Sequence, residues 1–182
     1  MTSLFSNPAG TAQEDAARYV QALMDLLGNR EPYKILPELY DVLVSEVTGL
    51  DDAVLRKPEA PGKWSIIQVV QHLADTELIY GYRIRMILTH DRPAIQGYDQ
   101  DAWARELEYN DVSLRDALEQ LRVLRGLNLN LVRSLRKDQL AREGLHSERG
   151  PESVEKMMKM IAAHDLLHRN QIKRIKQTLG MD

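Results

Sequence analysis

The segment that decides the fold is residues 152–179, which reads ESVEKMMKMIAAHDLLHRNQIKRIKQTL. In alternating steps of four and three residues, one face of this segment collects mostly apolar side chains, as in the buried stripe of an amphipathic helix. The stripe consists of Met157, Ile161, His164, His168, Gln171 and Ile175. We therefore predict a long helix from about Glu152 to Leu179, with Pro151 near its first turn and Gly180 as its C-cap signal.

Two histidines lie on that apolar stripe, where a buried polar side chain costs free energy unless it is satisfied. His164 and His168 are four residues apart, so both rings project from one helix face. This H-x-x-x-H spacing is the one by which a helix offers two imidazoles to one metal ion. His72 lies on the inward stripe of another predicted helix and is the candidate third ligand. Any one of these histidines alone is more typical of a hydrogen-bonded core residue.

Four further helical segments are predicted upstream, at about 13–27, 33–47, 65–89 and 113–135. Ser65 and Gln68 form a capping box at the start of the third of these. Residues 93–110 form a long crossover, with a short helix around 99–107. The predicted fold class is all-α, a four-helix bundle with a long crossover between the middle helices. A single domain is expected over residues 1–182, with about ten flexible residues at the N-terminus.

Composition excludes several classes of function. The net charge is −3 and the isoelectric point about 6.0, so the chain lacks the basic patch of a nucleic-acid-binding protein. It has no cysteine, which excludes disulfides, thiolate nucleophiles and cysteine-ligated zinc. No signal peptide and no apolar run of about 18 residues is visible. A cytoplasmic protein without a membrane-bound role is the resulting expectation.

Four further residues are candidates for the chemistry of a small-molecule substrate. Asp75 follows His72 by three residues and is a candidate general base or an acceptor that orients an imidazole, the alternative being a surface or arginine-paired carboxylate. Gln171 is a candidate to support His168 or to line the pocket. Tyr98 is a candidate lid, and Arg83 a candidate contact for an anionic substrate. The alternatives are a surface packing role for Tyr98 and an internal ion pair for Arg83.

Other polar residues have simpler interpretations. Glu77 and Asp165 are expected to be solvated or ion-paired. His90 is expected to cap the end of the third helix, where a cation favours the helix dipole. His146 lies in a polar loop and is expected to be exposed.

Several motifs together resemble the DinB/YfiT-like superfamily of helical-bundle metalloproteins, over roughly residues 38–180. They are Trp64-Ser65, the run Gln68-Val69-Val70-Gln71-His72-Leu73-Ala74-Asp75, Arg92-Pro93-Ala94-Ile95, Tyr98-Asp99, Ala102-Trp103, His146 and His164-x-x-x-His168. The resemblance is greatest to the YfiT-like branch of metal-dependent hydrolases and bacillithiol transferases. It implies a four-helix bundle, often dimeric, in which His72, His164 and His168 hold a divalent metal.

The resemblance implies zinc or nickel as the metal, with iron or manganese as alternatives. Three neutral imidazoles suit such ions and leave an open coordination position. The first functional hypothesis is a hydrolase that uses metal-activated water. The second is a metal-dependent S-transferase that uses a low-molecular-weight thiol in detoxification or stress response. The third is a non-catalytic metal-binding bundle.

One departure from the family pattern concerns the pocket lining. Where relatives tend to have aromatic and histidine residues, the chain has Ala162, Ala163, Asp165, Leu166 and Leu167. This difference changes the expected substrate and leaves the three ligands in place.

Overall fold

The computed structural model of the chain describes residues 13–181. Its α-helices are α1 (Gln13–Leu27), α2 (Pro32–Ile35), α3 (Leu39–Val47), α4 (Asp52–Leu55), α5 (Ile66–Thr89), α6 (Gln100–Glu106), α7 (Leu114–Arg133), α8 (Lys137–Leu140) and α9 (Val154–Thr178). Its strands are β1 (Ala94–Ile95), β2 (Glu143–His146) and β3 (Gly150–Ser153). The first ten residues, which were expected to be flexible, lie outside the described residues.

The four long helices α1, α5, α7 and α9 form the predicted bundle. Gln71 on α5 donates to Gln120 on α7 at 3.1 Å, and Asn128 further along α7 donates to Glu77 further along α5 at 3.0 Å. The contacts advance in the same direction on both helices, so α5 and α7 are parallel neighbours. The long crossover is needed because a short loop joins only antiparallel neighbours.

Helix ends follow local signals in most places. The capping box at Ser65 forms as predicted, with Ser65 N–H donating to Gln68 Oε1 at 2.9 Å. His90 is the C-cap residue of α5, as expected. The predicted helix over 33–47 is interrupted, because Pro37 lies in a 3₁₀ turn, Leu36–Glu38, between α2 and α3.

The predicted start of the last helix at Glu152 is wrong. Residues Gly150–Ser153 form β3, in which Pro151 is paired with Leu145 of β2, so Pro151 is not in the first helical turn. Ser153 is the N-cap of α9, and its hydroxyl accepts from the Lys156 N–H at 3.1 Å. A strand partner across the hairpin therefore displaces the helix start by two residues.

The sheet that contains this strand has the order β1-β2-β3, with β1 parallel to β2 and β2 antiparallel to β3. Ile95 of β1 is buried in the apolar cluster that includes Ile87 of α5. It is close to Gly144, where a Cβ would meet the Ile95 side chain at 2.4 Å. The sheet thereby fixes both the start of the crossover and the loop before α9 against the end of the bundle.

A polar layer divides the apolar core into two clusters. One cluster packs around Leu23, Ile84 and Met157, and the other around Leu43, Leu73 and Ile172. Between them lie buried polar side chains from α5, α7 and α9, namely His72, Asp75, Thr76, Glu77, Arg125, Asn128, His164, Asp165 and His168. The bundle thus brings the candidate ligands into one layer across its middle.

Candidate metal centre

The three predicted ligands meet in this polar layer. Nε2 of His164 lies 3.0 Å from Nε2 of His72 and 3.0 Å from Nε2 of His168. The ligand atoms of all three lie within 4.8 Å of one another. The exposed fractions are 1% for His72 and 7% for each of the other two. Two helices, α5 and α9, therefore direct three imidazole nitrogens at one point.

Burial keeps these imidazoles neutral. It lowers the pKa of His168 to about 4 and the pKa values of His72 and His164 well below the usual 6.5. Proximity adds to the effect, because His168 lowers the pKa of both other rings. At neutral pH each ring therefore presents a lone pair or a single N–H.

The neutral rings fit a cation better than they fit one another. Nε2 of His164 faces two other Nε2 atoms. A neutral ring nitrogen is either a donor or an acceptor, so each of these contacts is a hydrogen bond only if one of its two nitrogens carries a proton. Its Nδ1 is buried and has no hydrogen-bond partner among the described residues. Nitrogens about 2.0–2.1 Å from a shared ion at a tetrahedral angle lie about 3.3 Å apart. The observed spacing of 3.0 Å is close to that value.

Gln171 sets the tautomer of one ligand. Its Oε1 accepts from Nδ1 of His168 at 2.7 Å. An amide oxygen only accepts, so the proton of the neutral ring is on Nδ1 and the lone pair on Nε2, facing the centre. The structure thus gives Gln171 the supporting contact that was one of its two predicted roles.

Trp64 forms one wall of the centre. Its ring centroid lies 4.9 Å from that of His72, and it stacks on His168 at 6.5 Å with an interplanar angle of 12°. It immediately precedes the N-cap of α5, so the capping box that starts the helix also places this indole. The indole therefore packs against two of the three imidazoles.

Among the described residues, the candidate ligand cluster consists of these three histidines and no carboxylate. Three protein ligands with a free position are typical of catalytic zinc sites, whereas structural sites use four. The arrangement can therefore bind a divalent ion and leave it accessible to a substrate.

Asp75 lies in the same layer but its contacts run to other residues. Its Oδ1 accepts from Gln120 Nε2 at 2.7 Å and from Gln71 Nε2 at 3.2 Å, and its Oδ2 accepts from the Tyr109 hydroxyl. Within residues 13–181, none of the hydrogen bonds of Asp75 reaches an imidazole. The carboxylate ties α5 to the end of the crossover and to α7.

Glu77 and Asp165 are ion-paired, which was one of the two outcomes predicted for them. Both side chains are buried and not solvated. Arg125 contacts Asp165 through two hydrogen bonds of 2.7 and 2.9 Å, and its Nε lies 3.0 Å from Glu77. Burial lowers the pKa of Arg125, and the two carboxylates raise it. Burial raises the pKa of Asp165, and Arg125 opposes that rise. This cluster supports the segment of α9 that carries His164.

Two cavities open beside the centre. The larger, about 210 Å³, is lined by Trp64, Leu167, His168 and Gln171. The smaller, about 50 Å³, is lined by His164 together with Arg83 and Tyr98. Gln100 at the start of α6 lines both. All three predicted pocket residues, Gln171, Tyr98 and Arg83, therefore lie at a cavity that reaches a candidate ligand.

The expectation that His146 is exposed is wrong. Its side chain is 3% exposed because it lies on β2, where pairing with Ile95 and Gly150 encloses it. Its Nδ1 accepts from the Glu148 N–H at 3.2 Å. Burial lowers the pKa of His146 to about 4, and Arg149 adds to the shift.

Sequence reasoning missed Arg125 and Gln100. Arg125 lies on a buried stripe of α7 with spacing of three and four, Leu118, Leu121, Arg125, Asn128 and Val132. Polar residues on such a stripe are the same signal that identified the histidines. No comparable signal marks Gln100, because its position follows from how the crossover folds over the bundle.

Fold and site define a helical-bundle protein with a cluster of three buried histidines, and several known proteins are similar to the chain. The sequence pattern of the DinB superfamily matches residues 36–172. An Oceanobacillus iheyensis protein named "Putative metal-dependent hydrolase OB0413" is 30% identical over 130 residues, which cover 70% of this chain and 73% of that protein. A Geobacillus thermodenitrificans protein named "Putative metal-dependent hydrolase" is 31% identical over 114 residues, 63% of this chain and 57% of the relative.

The fold matches a solved structure of YfiT from Bacillus subtilis, described as an unusual four-helix bundle topology. The TM-score is 0.76 at 24% identity, over 97% of this chain and 95% of that one. The chain belongs to the DinB superfamily, and its similarity to YfiT confirms the predicted fold. No helix in the described part of the chain is long and apolar enough to cross a membrane.

Proposed function

We propose that the chain is a divalent-metal-dependent hydrolase whose ion is held by His72, His164 and His168. The observation that carries the proposal is the convergence of three neutral, buried Nε2 atoms beside two cavities. The names of the similar Oceanobacillus and Geobacillus proteins, which describe metal-dependent hydrolases, support it. When bound, a zinc or nickel ion would supply Lewis acidity and activate water for attack near neutral pH.

The remaining residues of the site have proposed roles that follow from their contacts. Gln171 orients His168, and Trp64 shields the ring stack from solvent. Substrate enters from the 210 Å³ cavity, where Leu167 and Trp64 offer apolar surface. Tyr98 covers the smaller cavity on the far side. These residues position the reacting groups, which is a large part of what an enzyme site contributes.

The general-base role predicted for Asp75 needs its own test, since the carboxylate lies on α5 one turn after His72 and its hydrogen bonds run to Gln71, Gln120 and Tyr109. Replacing Asp75 by Asn keeps the size of the side chain and removes its ability to take up a proton. Lost turnover with an unchanged metal content would support the role. Unchanged turnover would restrict Asp75 to holding Tyr109 and Gln120.

Turnover of a panel of esters, amides and lactones tests the proposal. The metal-loaded wild type is expected to hydrolyse a member of the panel, and metal removal or His168→Ala to abolish turnover. His90→Ala is the matched control, because His90 is an exposed histidine outside the centre. Full turnover after complete metal removal would contradict the proposal.

A second candidate is a thiol S-transferase, favoured by the presence of two separate cavities at one centre. Such an enzyme would place a low-molecular-weight thiol in one cavity and an electrophile in the other. The two candidates differ in one requirement, since only the transferase needs an added thiol. A non-catalytic bundle would bind metal and show turnover in neither assay.

A homodimer and a cytoplasmic location complete the proposal. The dimer follows from the family resemblance, and light scattering of the purified protein tests it. Fractionation of the producing cells tests the proposed location.

A further inference from the structure

We propose that the substrate carries a small carboxylate, which binds in the 50 Å³ cavity and pairs with Arg83. We call this space the Arg83 cavity; it is lined by Tyr80, Arg83, Tyr98 and His164, among others. The proposal rests on the proposed function, since it names a substrate feature for the same site. The carboxylate site itself is built from residues other than the metal ligands, apart from the wall formed by His164.

Arg83 is a buried cation whose described contacts are with a carbonyl oxygen and an aromatic ring. Its side chain is on α5 and the residue is 5% exposed. Its Nη2 donates to the carbonyl oxygen of Gln96 at 2.6 Å, and its guanidinium carbon lies 5.5 Å from the Tyr80 ring centroid. Within residues 13–181, no described carboxylate forms an ion pair with it. The internal ion pair that was the alternative interpretation of Arg83 is therefore absent from this part of the chain.

The other donors of Arg83 are available to a ligand. A guanidinium has five N–H donors, and Gln96 accepts from one nitrogen. None of the Arg83 nitrogens is among the atoms enclosed by protein without a partner. Arg83 also lines the cavity, and we assign its unused N–H groups to a ligand in that space.

The other two arginines in the buried layer and cavity wall are compensated. Arg125 contacts Asp165 and Glu77, and Arg149 contacts both oxygens of Glu152 at 2.6 and 3.0 Å. Burying a charge is costly unless an opposite charge compensates it. Among the described residues, Arg125 and Arg149 each have a carboxylate within ion-pair distance, and Arg83, which lines the cavity beside His164, has none.

The remaining lining favours a small monoanion. The hydroxyl-bearing side chains of Thr76, Tyr80 and Tyr98 surround the space, and burial raises the pKa of Tyr98 to about 12, so it stays a neutral donor. A volume of about 50 Å³ holds only a few atoms. These properties suit a carboxylate better than a phosphate.

The position of the cavity fits one end of a substrate at the centre. His164 lines the Arg83 cavity, and His168 lines the larger cavity. Gln100 is shared by both linings, so the two spaces are neighbours. A carboxylate held at Arg83 would leave the rest of a substrate directed past His164 toward the larger cavity.

Calorimetric titration with acetate and with its neutral analogue acetamide tests the proposal. Full-length wild type, Arg83→Gln and the control Arg85→Gln are titrated in zinc-loaded and metal-free form. Arg85 is an exposed arginine on the same helix. Metal-free samples matter because acetate also ligates zinc directly.

We expect wild type and Arg85→Gln to bind acetate in both forms and to prefer it to acetamide. Arg83→Gln is expected to weaken acetate binding about tenfold or more, through loss of charge-assisted hydrogen bonds. If Arg83→Gln does not fold in a thermal melt, Arg83→Lys, which keeps the charge and loses the planar fork, should bind acetate with reduced affinity.

The proposal is overturned if acetate does not bind the metal-free wild type, if acetamide binds equally well, or if the folded Arg83 variant keeps wild-type affinity. A chain that binds acetate and no zinc would contradict the proposed hydrolase and keep the carboxylate site. A chain that binds zinc and no acetate would contradict the carboxylate site and keep the proposed hydrolase.

Discussion

Oε1 of Gln171 lies 2.7 Å from Nδ1 of His168, one turn along the same helix. This contact determines which nitrogen of the buried ring faces the other two histidines. It also identifies a residue outside the ligand set whose loss should affect metal affinity.

Gln171→Leu is expected to lower zinc affinity about 10- to 100-fold, as for other residues that orient a ligating imidazole. Gln171→Glu keeps an acceptor at the same place and should keep the affinity. Competition with a chromophoric chelator measures both, with the exposed Gln177→Leu on α9 as control. Equal affinities for the two leucine variants would contradict the role of Gln171.

Arg125→Met is expected to destabilise the fold by about 3–5 kcal/mol, because it leaves two buried carboxylates without their cation. Urea denaturation measures the change. Arg122→Met on the same helix is the control, since Arg122 pairs with Glu119 at the surface and should contribute little. Similar losses for the two variants would contradict the importance of the buried ion pairs.

Two glycines should respond in opposite directions to replacement by Ala. At Gly81 a Cβ would lie 2.6 Å from Oδ1 of Asn128, whose amide is held by Glu77, so we expect a loss of about 1–3 kcal/mol. At Gly126 nothing lies within 4 Å, and a gain of about 0.5–1 kcal/mol is expected in the helix. Thermal melts of both variants check the prediction, and stabilisation by Gly81→Ala would contradict the close packing of α5 and α7.

The metal-free protein should lose stability as the pH falls from about 6.5 toward 4. The folded-state pKa of His168 is about 4, below the usual 6.5, so the unfolded chain takes up its proton first. Each such histidine contributes a slope of about 1.4 kcal/mol per pH unit in this window. Urea midpoints across this range measure the slope. His168→Gln should make the fall of stability with pH shallower. A fall as steep as that of wild type would contradict the burial of a neutral His168 ring.

Local and periodic features of the sequence predicted much of the molecule. The i, i+4 spacing of His164 and His168 predicted a pair of candidate ligands, and the Ser65 capping box predicted the start of α5. Both depend on residues close together in the chain, whose geometry a helix determines by itself.

Features that depend on distant residues were not predictable in the same way. The strand β1 has two residues and pairs with β2 some fifty positions later, so neither carries a strand pattern of its own. The burial of His146 follows from that pairing. The partners of Arg125 come from two other helices, and only the packed bundle shows which carboxylates it meets.

The central claim is that the three histidines bind a divalent metal, and elemental analysis of the purified protein after zinc or nickel reconstitution tests it most directly. Wild type and His90→Ala are expected to hold about one ion per chain, and His168→Ala to lose most of it, since one of three ligands is missing. Absence of metal from the reconstituted wild type, or equal content in the His168 variant, would contradict the claim.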